Sequence, residues 1–216
     1  RFLFLDADTV LWGDISRGRS IYDVDVILDR PARGYSVAEI TTYFFDPHGI
    51  EMRFPNFHWR DRLYANSGAF YARRGILDVA EYREVLQLAA KNPGLFQCGE
   101  QGLLNFLIFR AADECRLSVR QDSLQTLVPD HPVEILRQRF TIRGGKPCLR
   151  PGDEQVIHWC GTKPRLIRGA AFHAPMTYFR SRIRGRGIWW ITDILHALRQ
   201  SRLGRSLKRR LGRGTH

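Results

Sequence analysis

Four apolar residues, Phe2 to Leu5, run straight into Asp6 and Asp8. A run this short, apolar and aromatic predicts a buried strand with the acidic pair at or just beyond its C-terminal end. The segment "SVAEITTYFF" alternates loosely and is rich in β-branched and aromatic residues, so a second strand is predicted there, followed by a turn at "DPHG". "RLYANSGAFYARRG" reads as a further strand with polar residues in its middle. From Ile76 to Lys91 the period changes: Ile76, Val79, Ala80, Leu86 and Ala89 recur at helical spacing, and Asn92-Pro93-Gly94 stops the helix. A second helix is predicted over "GEQGLLNFLIFRAA", then short strands at "RLSVR", "FTIRG" and "QVIHW". Strands mixed with helices imply one α/β layer structure up to about Gly169, with residues 170–216 as a separate basic extension.

Composition changes this picture little. With 44% hydrophobic and 26% charged residues in 216, wholesale disorder is excluded and a sizeable core is within reach. Cys98, Cys115, Cys148 and Cys160 lack C-x-x-C spacing and read as reduced thiols rather than a disulfide framework or zinc site. No apolar run is long enough to span a bilayer, and the sequence shows no signal peptide pattern, so a cytoplasmic location is expected.

Charge matters more. The formal net charge is +12, but from Tyr178 onward eleven Lys and Arg face the single Asp193, which leaves +2 for everything before. The basicity belongs to a tail. In "GIWWITDILHALRQSRLGRSLKRRLG" apolar residues recur at helical spacing beside Trp189, Trp190 and a run of arginines. The pattern predicts an amphipathic helix, from about Gly187, that packs on the catalytic region or holds the chain at an anionic membrane surface, on its inner face. Nucleic acid could use the same charge, but no recognisable nucleic-acid module accompanies it.

Four polar constellations interrupt the apolar plan. Asp6 and Asp8 lie two apart and face one way on an extended strand. Two like charges so close are tolerable when solvated, when they share a proton, or when a hard cation sits between them. Asn66 to Gly68 sit where strand propensity disfavours them, which fits a β-bulge or a close backbone approach to a ligand. Glu100 and Gln101 begin a helix with Asn105 one turn on, and an acid in a first turn needs no ligand to explain it. Finally, "VIHWCGTKP" places His158, Gly161 and Lys163 around a strand end. A histidine alone there would be a core residue. With a glycine for close approach and an ammonium group nearby, the set suits a metal-bound diphosphate.

Taken in order, the four resemble the second half of a GT-A fold glycosyltransferase of the group that includes glycogenin and the bacterial lipopolysaccharide galactosyl- and glucosyltransferases. "FLFLDADTVLWGDI" resembles that family's strand and D-x-D, "ANSGAFYARRG" its N-S-G strand, "EQGLLN" its D-Q-x-x-L-N helix, and "HWCGTKP" its H-x-x-G-x-K-P, over residues 1 to about 165. The resemblance implies a GT-A type mixed sheet with flanking helices and a Mn²⁺ or Mg²⁺ ion held by Asp6, Asp8 and His158. It implies that Gly161 and Lys163 bind the donor diphosphate, and that Asn66, Glu100 and Gln101 line the sugar and acceptor side. The expected partners are a nucleotide-sugar, most simply a UDP-sugar, and a glycan or lipid-linked acceptor. Glu100 stands where the family usually has Asp, and Arg165 follows K-P where relatives often have Trp. The family also carries roughly a hundred residues of nucleotide-binding strands and helices before its D-x-D, whereas five residues precede Asp6, so a piece of a longer GT-A domain is expected.

Two rival classes share parts of the pattern. "LDADTVL" also fits a haloacid-dehalogenase-type phosphatase, with Asp6 as nucleophile and Asp8 as general acid and base, but only the adjacent Asp153 and Glu154 offer a later acidic pair. A catalytically degenerate transferase domain used as a basic binding module is the non-enzymatic alternative.

Overall fold

The structure is a computed structural model. It describes residues 1–144, 146–150, 152, 155–161 and 172–184. The chain is of mixed α/β class. In chain order its first elements are β1 (Phe2–Leu5), β2 (Thr9–Trp12), β3 (Val26–Asp29), α1 (Val37–Tyr43), α2 (Pro47–Arg53), β4 (Ala69–Ala72), α3 (Val79–Lys91) and α4 (Glu100–Asp113). There follow β5 (Val119–Asp122), β6 (Gln125–Leu127), α5 (Val133–Arg139), β7 (Ile142–Arg143), β8 (Lys146–Pro147), β9 (Gln155–His158) and α6 (Ala174–Arg184). They fall into two compact units, one of Arg1–Ala7 with Ile15–Gln125, the other of Asp8–Asp14 with the described residues from Thr126 onward.

In the first unit a four-stranded sheet runs β1-β4-β3-β5, antiparallel except for the parallel pair β3 and β5. Its inner strands β3 and β4 are buried along their whole length, which is why both are apolar without alternation until Asp29. β1 is where expected but is an edge strand rather than a buried one: Phe2 and Phe4 are exposed and lie against Phe70 across the ladder. Helix α4 is apolar on almost every face and is buried to match, from Leu103 through Phe106 to Ala111, so it forms the spine of this unit's core.

Several predicted elements are corrected. Residues 36–45 are not a strand: Ser36 accepts from the Glu39 N–H while the Glu39 carboxylate accepts from the Ser36 N–H, and this capping box starts α1. The "DPHG" turn is the start of α2, with Asp46 as N-cap and Pro47 in the first turn, where a missing N–H does no harm. α3 begins at Val79, after the Asp78 N-cap, rather than at Ile76. The strand in "RLYANSGAFYARRG" is only Ala69–Ala72, so Asn66 to Gly68 precede it instead of interrupting it.

The second unit is built on the sheet β2-β9-β6 and the small hairpin β7-β8. β2 and β9 pair antiparallel, and Val10, Trp12, Ile157 and Trp159 bury their side chains with Val128, Leu136, Phe140 and Phe172 in a separate core. Among the described residues no helix is long and apolar enough to cross a membrane. The expected boundary near Gly169 and the amphipathic tail from Gly187 lie outside the described residues.

Candidate metal centre

The pairing of β2 with β9 brings Asp8 and His158 together across 150 residues of sequence. Thr9 stands opposite His158 in the ladder, and the Trp159 N–H donates to the Asp8 carbonyl at 3.1 Å. Backbone hydrogen bonds thus fix both Cα positions before the side chains meet. His158 is buried, 2% exposed, and its Nε2 lies 3.4 Å from Asp8 Oδ1. Burial with a carboxylate at that distance distinguishes this imidazole from a core histidine packed only among apolar groups. Asp6, two residues up the chain from Asp8, arrives with it. One ligand atom each from Asp6, Asp8 and His158 all lie within 4.8 Å of one another.

Two carboxylate oxygens and an imidazole nitrogen form a donor set of mixed hardness that could hold a divalent metal ion. Neighbouring ligands around such a small cation are about 3 Å apart, a spacing that carboxylate rotation can reach from the distances present. The residues therefore fit a divalent ion.

Within the first unit, the backbone of Asp6 is tied to the "ANSG" segment. The Asp6 N–H donates to the Gly68 carbonyl at 3.0 Å, and the Gly68 N–H donates to Asn66 Oδ1 at 2.9 Å, an Asx turn that accounts for Asn and Gly here. Helix α4 holds the same segment from behind. Asn105, 2% exposed, accepts from the Ala65 N–H at 2.8 Å and donates back to the Ala65 carbonyl at 2.9 Å. The Gln101 amide accepts from the Ser67 N–H at 3.3 Å and donates to the Tyr43 carbonyl at 3.1 Å. Gln101 thus spends its amide on main-chain groups, Asn66 is half-buried, and Glu100 is exposed at the start of α4. Gly161 is exposed in the left-handed region, φ +87°, where a side chain would be strained. Lys163 lies outside the described residues, as do Asp153 and Glu154.

One acidic residue went unremarked in the sequence. Asp29 ends β3 and is 5% exposed, with Oδ1 accepting from the Leu124 and Gln125 N–H groups at 2.9 and 3.0 Å. Burial pushes its carboxyl up to about 6 despite those two donors. Gln125 carries the chain of hydrogen bonds on to the Asn66 carbonyl at 3.2 Å. The available signal was "VDVILD", which repeats the form of "FLFLD": an apolar run closed by Asp. Comparisons with protein-family models, with curated proteins and with solved structures returned no match.

Proposed function

We propose that this protein is a metal-dependent glycosyltransferase of GT-A type that moves a sugar from a nucleotide-sugar, most simply a UDP-sugar, to a glycan or lipid-linked acceptor. The observation that carries the reading is the convergence of Asp6 and Asp8 with His158, the acidic and imidazole ends of two motifs that the resemblance alone had linked. In this reading Asp6, Asp8 and His158 hold Mn²⁺ or Mg²⁺, which neutralises charge as the nucleotide diphosphate departs. Gly161 leaves space for the diphosphate to approach the main chain, and Lys163 adds a cation to its oxygens. Asn66 and Glu100 border the sugar, while Gln101 and Asn105 keep the Asn66–Gly68 turn in place. A phosphatase of the haloacid-dehalogenase type would need Asp8 as a mobile acid and base and gives His158 no task. Residues 187–216 provide a contact with anionic membrane, where a lipid-linked acceptor would be met.

The test is sugar transfer or hydrolysis from UDP-sugars with Mn²⁺, with EDTA, and in Asp8→Asn. Removing a charge-neutralising ligand should cost about a hundredfold or more in turnover. Turnover that persists in EDTA, or survives Asp8→Asn within a few fold, would overturn the proposal, and complete inactivity with every donor would favour the degenerate binding module.

A further inference from the structure

Strand β2 buries Val10 and Trp12 on one side, and its opposite side should therefore be polar if it met only water. It carries Leu11 instead, 40% exposed. Leu11 is one wall of an open cleft of about 430 Å³ in the second unit, whose other walls include Pro147, Leu149, Tyr178, Phe179 and Arg182. Leu149 is 53% exposed, so two branched aliphatic side chains on separate segments point into one solvent-filled space. Phe179 links the cleft to the core by an edge-on contact with Trp12 at 6.4 Å. At the rim, Arg182 Nη1 donates to the Tyr178 hydroxyl at 3.1 Å and the guanidinium stands 5.7 Å from the centre of that ring. Among the described residues of the wall Arg182 is the only charged one, and no described carboxylate pairs with it.

We infer that this cleft is a seat for an anionic lipid, with an acyl chain along Leu11, Leu149 and Phe179 and the headgroup phosphate on Arg182. An apolar floor alone would fit many occupants. Charge complementarity selects among them: the one charge among the described wall residues is a cation, α6 carries Arg180, Arg182 and Arg184 in its sequence with no acid, and the strongly basic stretch begins in this same helix. A nucleic acid would match the charge but has no aliphatic part for the floor, and a neutral oligosaccharide would match neither. Arginine suits the phosphate because its fork leaves N–H groups for two phosphate oxygens after one is given to Tyr178. The inference does not depend on sugar transfer or on a metal.

Full-length protein would be equilibrated with phosphatidylcholine vesicles, with or without phosphatidylglycerol, that carry a trace of phosphatidylglycerol bearing a photoactivatable acyl chain. Labelled peptides are then mapped. The expected result is label on the segments holding Leu149 and Phe179, lost in Leu149→Glu, and vesicle partition about fivefold weaker in Arg182→Gln, the share of one basic residue at an anionic surface. Both side chains are exposed, so the variants should keep the wild-type circular dichroism and melting point. Label confined to residues 187–216, or label at Leu149 and Phe179 that is unchanged in both variants, would overturn the seat. So would displacement of that label by an acidic peptide or an oligosaccharide but not by unlabelled phosphatidylglycerol.

Discussion

Asp25 precedes β3 and Asp29 ends it, and their carboxyls are shifted in opposite directions for reasons visible in their surroundings. The Asp25 carboxylate accepts from the Ser118 N–H and hydroxyl, both at 2.9 Å, and is paired with Arg73, so it is held down to about 2. Asp29 has two backbone donors of its own, but desolvation outweighs them and the carboxyl rises to about 6. The linkage signs follow. Asp25 adds stability that is present above its unfolded value of 3.8 and is lost as pH falls towards 2. Asp29 favours the folded state when protonated, so its contribution is lost as pH rises from 3.8 through 6. Asp29→Asn keeps an oxygen for both N–H groups and removes the buried charge. Urea unfolding should show the variant more stable than wild type near neutral pH, by roughly 2 to 3 kcal/mol at most, with the decline between pH 3.8 and 6 flattened. Asp25→Asn should instead cost stability at neutral pH and lose its effect in acid. A variant at Asp29 that is weaker than wild type at neutral pH would mean that a cation or donor group stabilises the ionised form.

At the scale of elements, the helix that holds the Asn66–Gly68 turn is positioned by a residue with no side chain. A Cβ on Gly102 would lie 1.7 Å from the Phe44 carbonyl oxygen, a backbone atom that cannot swing away. That carbonyl also accepts from the Gln97 N–H at 2.8 Å, so α4 is drawn close at its first turn, where Gln101 reaches Ser67 and Asn105 reaches Ala65. In an open helix Gly→Ala is worth about 1 kcal/mol of added stability. Here overpacking wins, and Gly102→Ala should lose about 3 kcal/mol or more by urea unfolding and loosen the Asn66–Gly68 turn, read as faster amide exchange at Gly68. An alanine variant as stable as wild type would show that α4 can back away without harm. Nothing in the sequence marks Gly102 as special, because the partner is a main-chain oxygen 58 residues away. The periodic helices α3 and α4 were legible from their own spacing. α1 was not, because Thr41, Thr42, Tyr43 and Phe44 favour a strand by propensity. The capping box overrides them, and the threonine hydroxyls bond back to the Val37 and Ala38 carbonyls. Asp6 and Asp8 were legible as a pair, but local pattern could not join them to His158. Only the ladder between β2 and β9, strands far apart in sequence, does that, and motif order stood in for it.

On the scale of the whole molecule, the described residues form two hydrophobic cores of unequal size. The first has twenty-two buried members around α4, the second eight around Trp12 and Trp159. Burial scales with core size while the entropy of ordering scales with chain length, so the second unit should be the less stable. Unfolding should then depart from two-state behaviour, with a van't Hoff enthalpy below the calorimetric one and a lower transition that belongs to the second unit. The metal centre supplies a way to identify that transition. Asp8 and His158 fold within the second unit, so an ion bound to them stabilises it by mass action, by about 2.7 kcal/mol at a hundredfold excess over the dissociation constant. Scanning calorimetry with Mn²⁺ at that excess should therefore move the lower transition upward by about 10 to 20 °C, since 1 kcal/mol shifts a domain of about a hundred residues by about 4 to 8 °C. The shift should disappear in Asp8→Asn and in EDTA. A single transition with equal enthalpies would show that the two cores melt as one. Transitions indifferent to Mn²⁺, Mg²⁺ and EDTA would show that Asp6, Asp8 and His158 meet without holding an ion.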